Sequence, residues 1–157
     1  MPHQIVKPVV DLTVRKLCFR QYYNHPKGCP NFGKLRCPPK CKTIDEILDL
    51  TKTVYAVWNV FDFEKHCITM STKHPDWSQR QVECCLYWQP RARKHLRHEI
   101  ARFKLEHNYS HWTIVGNPEG SGVNVTETMK QVGIRLQWPP VTKTYQIVLA
   151  GLPNERT

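Results

Sequence analysis

The chain has 157 residues, 40% hydrophobic and 23% charged, with 23 Lys plus Arg against 13 Asp plus Glu for a formal net charge of +10. That length suits one domain with a real core, and the composition excludes a disordered chain. No apolar run approaches the roughly 20 residues that span a bilayer, and MPHQIVKPVVDL lacks the basic and apolar regions of a secretion signal, so the expectation is a cytoplasmic protein without a membrane partner.

Residues 4–14, QIVKPVVDLTV, are rich in β-branched side chains and read as extended, with Pro8 confining them to an edge or a bend. From Cys18 to Cys41 neither a helical nor a strand period exists, which predicts a loop. An ordered loop of that length needs a cause, and a bound metal supplies one. Thr43 and Glu46 have the spacing of a capping box and open a short helix to about Leu50. TVYAVWNVFDF, 53–63, is apolar on both faces, as a central strand is. Ser78 caps a long basic helix over 78–107, with Leu96, Ile100 and Phe103 as its buried stripe and Pro90 as a kink or break. HWTIVG, 111–116, reads as a strand, and NPEGSGVNV as a glycine-bearing loop. Asn124 and Glu127 open a helix to about Val132, stopped by Gly133. IRLQW and TYQIVLAG read as closing strands on either side of Pro139 and Pro140. The order predicts an α/β or α+β single domain over 1–157, with one mixed sheet, about three helices and a Cys-rich metal-binding loop at 18–41.

A reducing compartment and an odd total of seven cysteines both argue against a disulfide framework. Cys18, Cys29, Cys37 and Cys41 follow the spacing C-x10-C-x7-C-x3-C. This is neither the paired C-x2-C of zinc ribbons nor the tight ferredoxin run. Cys29-Pro30 and Cys37-Pro38 turn the chain away from a ligand, and Gly28 and Gly33 let backbone N–H groups approach inorganic sulfide. Lys27, Lys34 and Arg36 offset thiolate charge. These features put a [4Fe-4S] cluster ahead of zinc as the metal centre, with His25, Cys84 and Cys85 as candidate additional ligands. The competing reading is that the cysteines are small buried hydrophobes.

CPNFGKLRCPP resembles the CPNYGK…CPP signature of a family of uncharacterised proteins described as predicted metal-binding. EGSGVNVTETMKQVGI, 119–134, resembles the same family's later glycine motif, in the same order along the chain. The resemblance covers about a quarter of the chain and implies metal binding through Cys18, Cys29 and Cys37, with Cys41 an addition. Longer members carry a further cysteine-rich, ferredoxin-like stretch where this chain has HWTIVGNPEG, so a second cluster is not implied. The resemblance brings no established reaction.

The second informative stretch is VECCLYWQPRARKHLRHEIARFKLEH. Adjacent helical residues point about 100° apart, so Cys84 and Cys85 reach one centre only with difficulty; Cys67 reads as buried. Arg91, Arg93, Lys94 and Arg97, with Tyr87 and Trp88 for base stacking, form a candidate anion or nucleic-acid contact surface. The competing reading is an ordinary solvated helix face. GNPEGSGVN lacks the Lys-Ser/Thr pair of a phosphate loop; it is an anion-holding turn or a plain β–α connection. The expected function is an iron–sulfur protein, with an open cluster iron as Lewis acid on a nucleotide or RNA-type phosphorylated substrate. The alternatives are a zinc-stabilised nucleic-acid-binding module without catalysis and an electron-transfer partner subunit. Oligomeric state is not legible.

Overall fold

The computed structural model describes residues 2–21, 26–108 and 111–155. In chain order the elements are β1 (His3–Val6), a 3-10 segment (Leu12–Phe19), α1 (Ile44–Ile47), β2 (Val54–Asp62), α2 (Phe63–Lys73), α3 (Gln79–Val82), α4 (Cys85–Glu106), β3 (Thr113–Val115), α5 (Val125–Lys130) and β4 (Lys143–Gly151). The strands form one sheet in the order β1-β2-β4-β3, and every pairing is antiparallel. This is the α+β member of the two classes left open by the sequence. The sheet is antiparallel throughout rather than mixed, because no helix returns the chain to a neighbouring strand running the same way.

Alternation along β2 builds two faces. Val54, Ala56 and Trp58 point to one side, where they join Ile44 and Leu48 around α1, Val125 and Met129 of α5, and Leu149 of β4. Tyr55 and Val57 point to the other side, against Leu96, Ile100 and Phe103 of α4. Phe61 extends that second face to Trp88 and Ala92. Phe103 is 0% exposed, and burying such a side chain contributes about 1.5–3 kcal/mol. The sheet therefore lies between α4 and the pair α1 and α5. Among the described residues no helix is long and apolar enough to cross a membrane.

Several expected elements shift. The extended 4–14 segment divides: β1 stops at Val6, ahead of Pro8, and Asp11 accepts the Thr13 N–H at 3.0 Å to start the 3-10 segment. IRLQW is not a strand; the Ile134 N–H turns back to the Met129 carbonyl, and Ile134 and Leu136 pack on the core as loop residues. The helix α2 is hidden behind the strand signal that ends in Phe63; its cap is Asp62, which accepts the Lys65 N–H at 2.9 Å. The 79–107 helix is indeed two helices, but the break falls at Glu83 and Cys84 rather than at Pro90. Pro90 is tolerated inside α4 because the carbonyl it leaves unpaired is that of Leu86, an exposed residue.

Candidate metal centre

The cysteine loop is built from short local turns. The Cys41 N–H donates to the Cys37 carbonyl at 3.1 Å, which closes one helical turn and sets both side chains on one side. At the other end the Cys29 N–H donates to the Cys18 carbonyl at 2.8 Å, so the chain doubles back onto the 3-10 segment. Gly28 stands at that crossing with φ +78, and a Cβ there would lie 2.9 Å from the Phe19 carbonyl oxygen. Glycine is required on both counts. The close approach that Gly28 permits is thus to the Phe19 backbone.

The rest of the site comes from the far end of the chain. The Cys41 thiol donates to the Gly120 carbonyl at 3.0 Å, and the Asn117 amide Nδ2 donates toward the Cys37 sulfur at 3.9 Å. The 117–124 turn is clamped in place from two sides: Asp11 N–H donates to the Gly122 carbonyl, Ile44 N–H to the Ser121 carbonyl and Asn124 N–H to the Val9 carbonyl, each at 2.8 Å. The two stretches that carry the family resemblance therefore meet in space. Arg15 joins them, donating to the Cys41 carbonyl at 2.8 Å and the Pro39 carbonyl at 3.3 Å, with its guanidinium 3.8 Å from the Cys41 sulfur.

Burial pushes the Cys18 thiol up, and Cys29, Cys37, Glu119 and Cys41 add to the effect in that order. Burial alone also pushes the Glu119 carboxyl up. Cys18 thus resists ionisation first because it is buried and then because three other sulfurs and a carboxyl share its surroundings, and a cation among them would offset that penalty. Among the described residues no three cysteine sulfurs lie mutually within 4.8 Å.

The other expected residues lie elsewhere. Cys84 is the N-cap of α4 and Cys85 its first residue. Cys85 packs with Cys67 against Phe61, Phe63 and Trp88, on the α4 face of the sheet. The structure does not bring this pair to the cysteine loop. His25 falls outside the described residues. Lys34 donates to the Asn31 side chain at 2.7 Å, and Lys27 and Arg36 are exposed; the cation brought onto the cysteines is Arg15, which the sequence did not single out. Asn117 and Glu119 were missed as well, although both lie in the glycine stretch.

Arg91, Arg93, Lys94 and Arg97 are exposed on α4. Trp88 does not stand beside them as a stacking platform. It is 7% exposed, stacks on Phe61 at 5.4 Å between ring centres, and donates its indole N–H to the Glu83 carbonyl at 3.2 Å. The reason is helical spacing: Leu96, Ala92 and Trp88 fall four residues apart, so the buried stripe runs back two turns further than the sequence suggested. Tyr87 is 51% exposed and leans on Trp77 at 4.8 Å, and Trp77 stacks on His74 at 3.9 Å. The accessible aromatic surface beside the basic residues is this trio. A cleft of about 790 Å³ lies between Leu48–Lys52, Trp112 and Leu152–Asn154, and no cysteine lines it.

No protein-family model, no curated protein and no solved structure matches the chain.

Proposed function

We propose that this is a cytoplasmic iron–sulfur protein whose [4Fe-4S] cluster is held by Cys18, Cys29, Cys37 and Cys41. The observation that supports the reading is the shared environment of Cys18, Cys29, Cys37 and Cys41, with Arg15, Asn117 and Gly120 placed against the last two. The likeness to the CPNYGK…CPP family supports it, since both of that family's motifs line the same locus. When bound, such a cluster supplies electron transfer or, at an iron left open to substrate, Lewis acidity. Arg15 offsets thiolate charge at Cys41. Asn117 donates to the Cys37 sulfur, and hydrogen bonds to ligating sulfur are one of the levers on reduction potential. Burial raises the Glu119 carboxyl beside Cys18, which favours its neutral form more than in water.

Protein purified without oxygen should be brown, with about four irons and four acid-labile sulfides per chain. Cys29→Ser and Cys37→Ser should each lose most of both. Colourless protein with one zinc per chain would overturn the reading in favour of a structural zinc site. Cys41→Ser separates the two modes of cluster binding: iron retained with a changed spectrum means three cysteines suffice and the fourth iron is open.

A second reading attaches to the opposite side of the sheet. The exposed Arg91, Arg93, Lys94 and Arg97 beside Tyr87, Trp77 and His74 combine cations with aromatic faces, the pairing that single-stranded nucleic acid or another phosphorylated ligand uses. With the sheet in between, this surface is a docking face in its own right rather than a wall of the cysteine site.

A further inference from the structure

A second group of ligand-type side chains lies at the C-terminal end of α4. β1 pairs with β2 so that His3 stands opposite Val57, which turns its imidazole to the α4 face. There it meets the last residue of the helix, Glu106, and the capping residue, His107. The Nε2 atoms of His3 and His107 are 3.3 Å apart, and His3 Nε2 is 3.4 Å from Glu106 Oε2. All three ligand atoms lie mutually within 4.8 Å, the one such group among the described residues.

From these distances we infer that His3, Glu106 and His107 form a binding site for a divalent transition metal of the zinc type, separate from the cysteine centre. Zinc–nitrogen and zinc–oxygen bonds of about 2.0–2.1 Å put tetrahedral ligand atoms about 3.3–3.4 Å apart, and the two short edges here have that length. Without a cation, His3 Nε2 has one proton or one lone pair to share between two neighbours, both at the long end of hydrogen bonding. With a cation, each of the three atoms has its own bond. The surroundings suit a fixed ligand. The His3 side chain is 6% exposed, edge-on to Phe103 at 5.3 Å and to Tyr55 at 6.2 Å. Outer contacts orient the carboxylate too: Arg102 Nε takes Glu106 Oε1 at 3.4 Å, which leaves Oε2 for the metal. Three protein ligands would leave a fourth position open, and one of the three, Glu106, has a side chain that is 39% exposed. That is the open arrangement in which zinc carries a water molecule, rather than the closed four-ligand arrangement of a structural site.

The test is a zinc titration of the full untagged chain, followed by long-range nitrogen–proton correlation of the histidine rings. The expected result is that the Nε2 signals of His3 and His107 move to metal-bound positions together, while the other histidines stay in place. Glu106→Gln keeps the shape of a half-exposed side chain and should fold; it should weaken zinc at these two rings by at least the ~10–100-fold that loss of a supporting partner costs. His107→Ala should abolish the shift at His3. The inference is overturned if the His3 and His107 signals do not respond to saturating zinc, or if Glu106→Gln leaves their response unchanged. Zinc taken up at the cysteines alone would leave the His3 and His107 ring signals in place, and the cluster is read independently by iron and sulfide content, so the two sites fail or succeed separately.

Discussion

Gly122 shows how one residue governs the cysteine locus from a distance. Its φ is +86, and a Cβ there would come 2.6 Å from Leu12 Cδ2, so a side chain is opposed by both backbone and neighbour. Its carbonyl accepts the Asp11 N–H, one of the bonds that hold the 117–124 turn against the 3-10 segment. Gly122→Ala should therefore lower unfolding free energy by more than about 1 kcal/mol, read by urea denaturation, and should loosen metal retention along with it. An unchanged denaturation midpoint would show that the turn is not clamped in this way. At this scale the cysteines stand out in the sequence because their chemistry is rare and they cluster within 18–41. Arg15, Asn117 and Glu119 were not, since nothing in an isolated Arg, Asn or Glu distinguishes a residue beside a thiol from one in water.

Caps made most helix starts readable. Thr43 with Glu46 and Ser78 with Gln81 form reciprocal capping boxes, and Asn124 accepts the Glu127 N–H at 3.1 Å. Two starts escape: α4 opens after Cys84, which makes no side-chain cap bond, and α2 has few apolar residues and several β-branched ones, so its period is weak and its start merges with β2. Its docking has a testable consequence. His66 on α2 donates from Nε2 to the Val82 carbonyl at the end of α3, at 3.2 Å. Burial pushes the His66 imidazole down, opposed by that carbonyl and reinforced by Arg91. The folded state thus favours the neutral ring. Its contribution is complete above the ordinary histidine value of about 6.5 and is lost as pH falls through the lower folded value, because the unfolded chain then binds the extra proton. His66→Gln keeps a donor without the titration. The stability of wild type relative to this variant should fall as pH drops below about 6.5, in urea titrations across a pH series. Parallel profiles would exclude His66 as a source of acid sensitivity.

For the whole molecule, the sheet is a partition. The cysteine loop, α1 and α5 belong to one side, and α4 with its exposed cations to the other. The formal net charge of +10 favours anionic partners, and the second reading proposed above puts such a partner on the aromatic trio. Arg93→Glu with Arg97→Glu should weaken binding of single-stranded RNA and reduce the log–log salt slope by about 0.7 for each phosphate no longer neutralised. Iron content should be unchanged, because the substitutions lie across the sheet from the cysteines. Wild-type protein with no salt-dependent RNA binding would remove the α4 surface as a nucleic-acid site.

Local chemistry was enough to establish some features of this protein: the helix caps at Thr43, Ser78 and Asn124 and the apolar strand centred on Trp58. Each rests on residues a few positions apart, where geometry follows directly from the chain. Tertiary structure decided the remainder. Pairing β2 with β4 brought residues about 90 apart into register, from Tyr55 opposite Ala150 to Asp62 opposite Lys143. Packing of α4 on the sheet turned Trp88 inward and put Cys84 and Cys85 on the far side from Cys18. Pairing of β1 with β2 carried His3 to Glu106 and His107, and backbone bonds at Val9, Asp11 and Ile44 held the glycine turn beside Cys37 and Cys41. Contacts between residues so far apart follow from which apolar faces bury each other, and a face shows in the sequence while its partner does not.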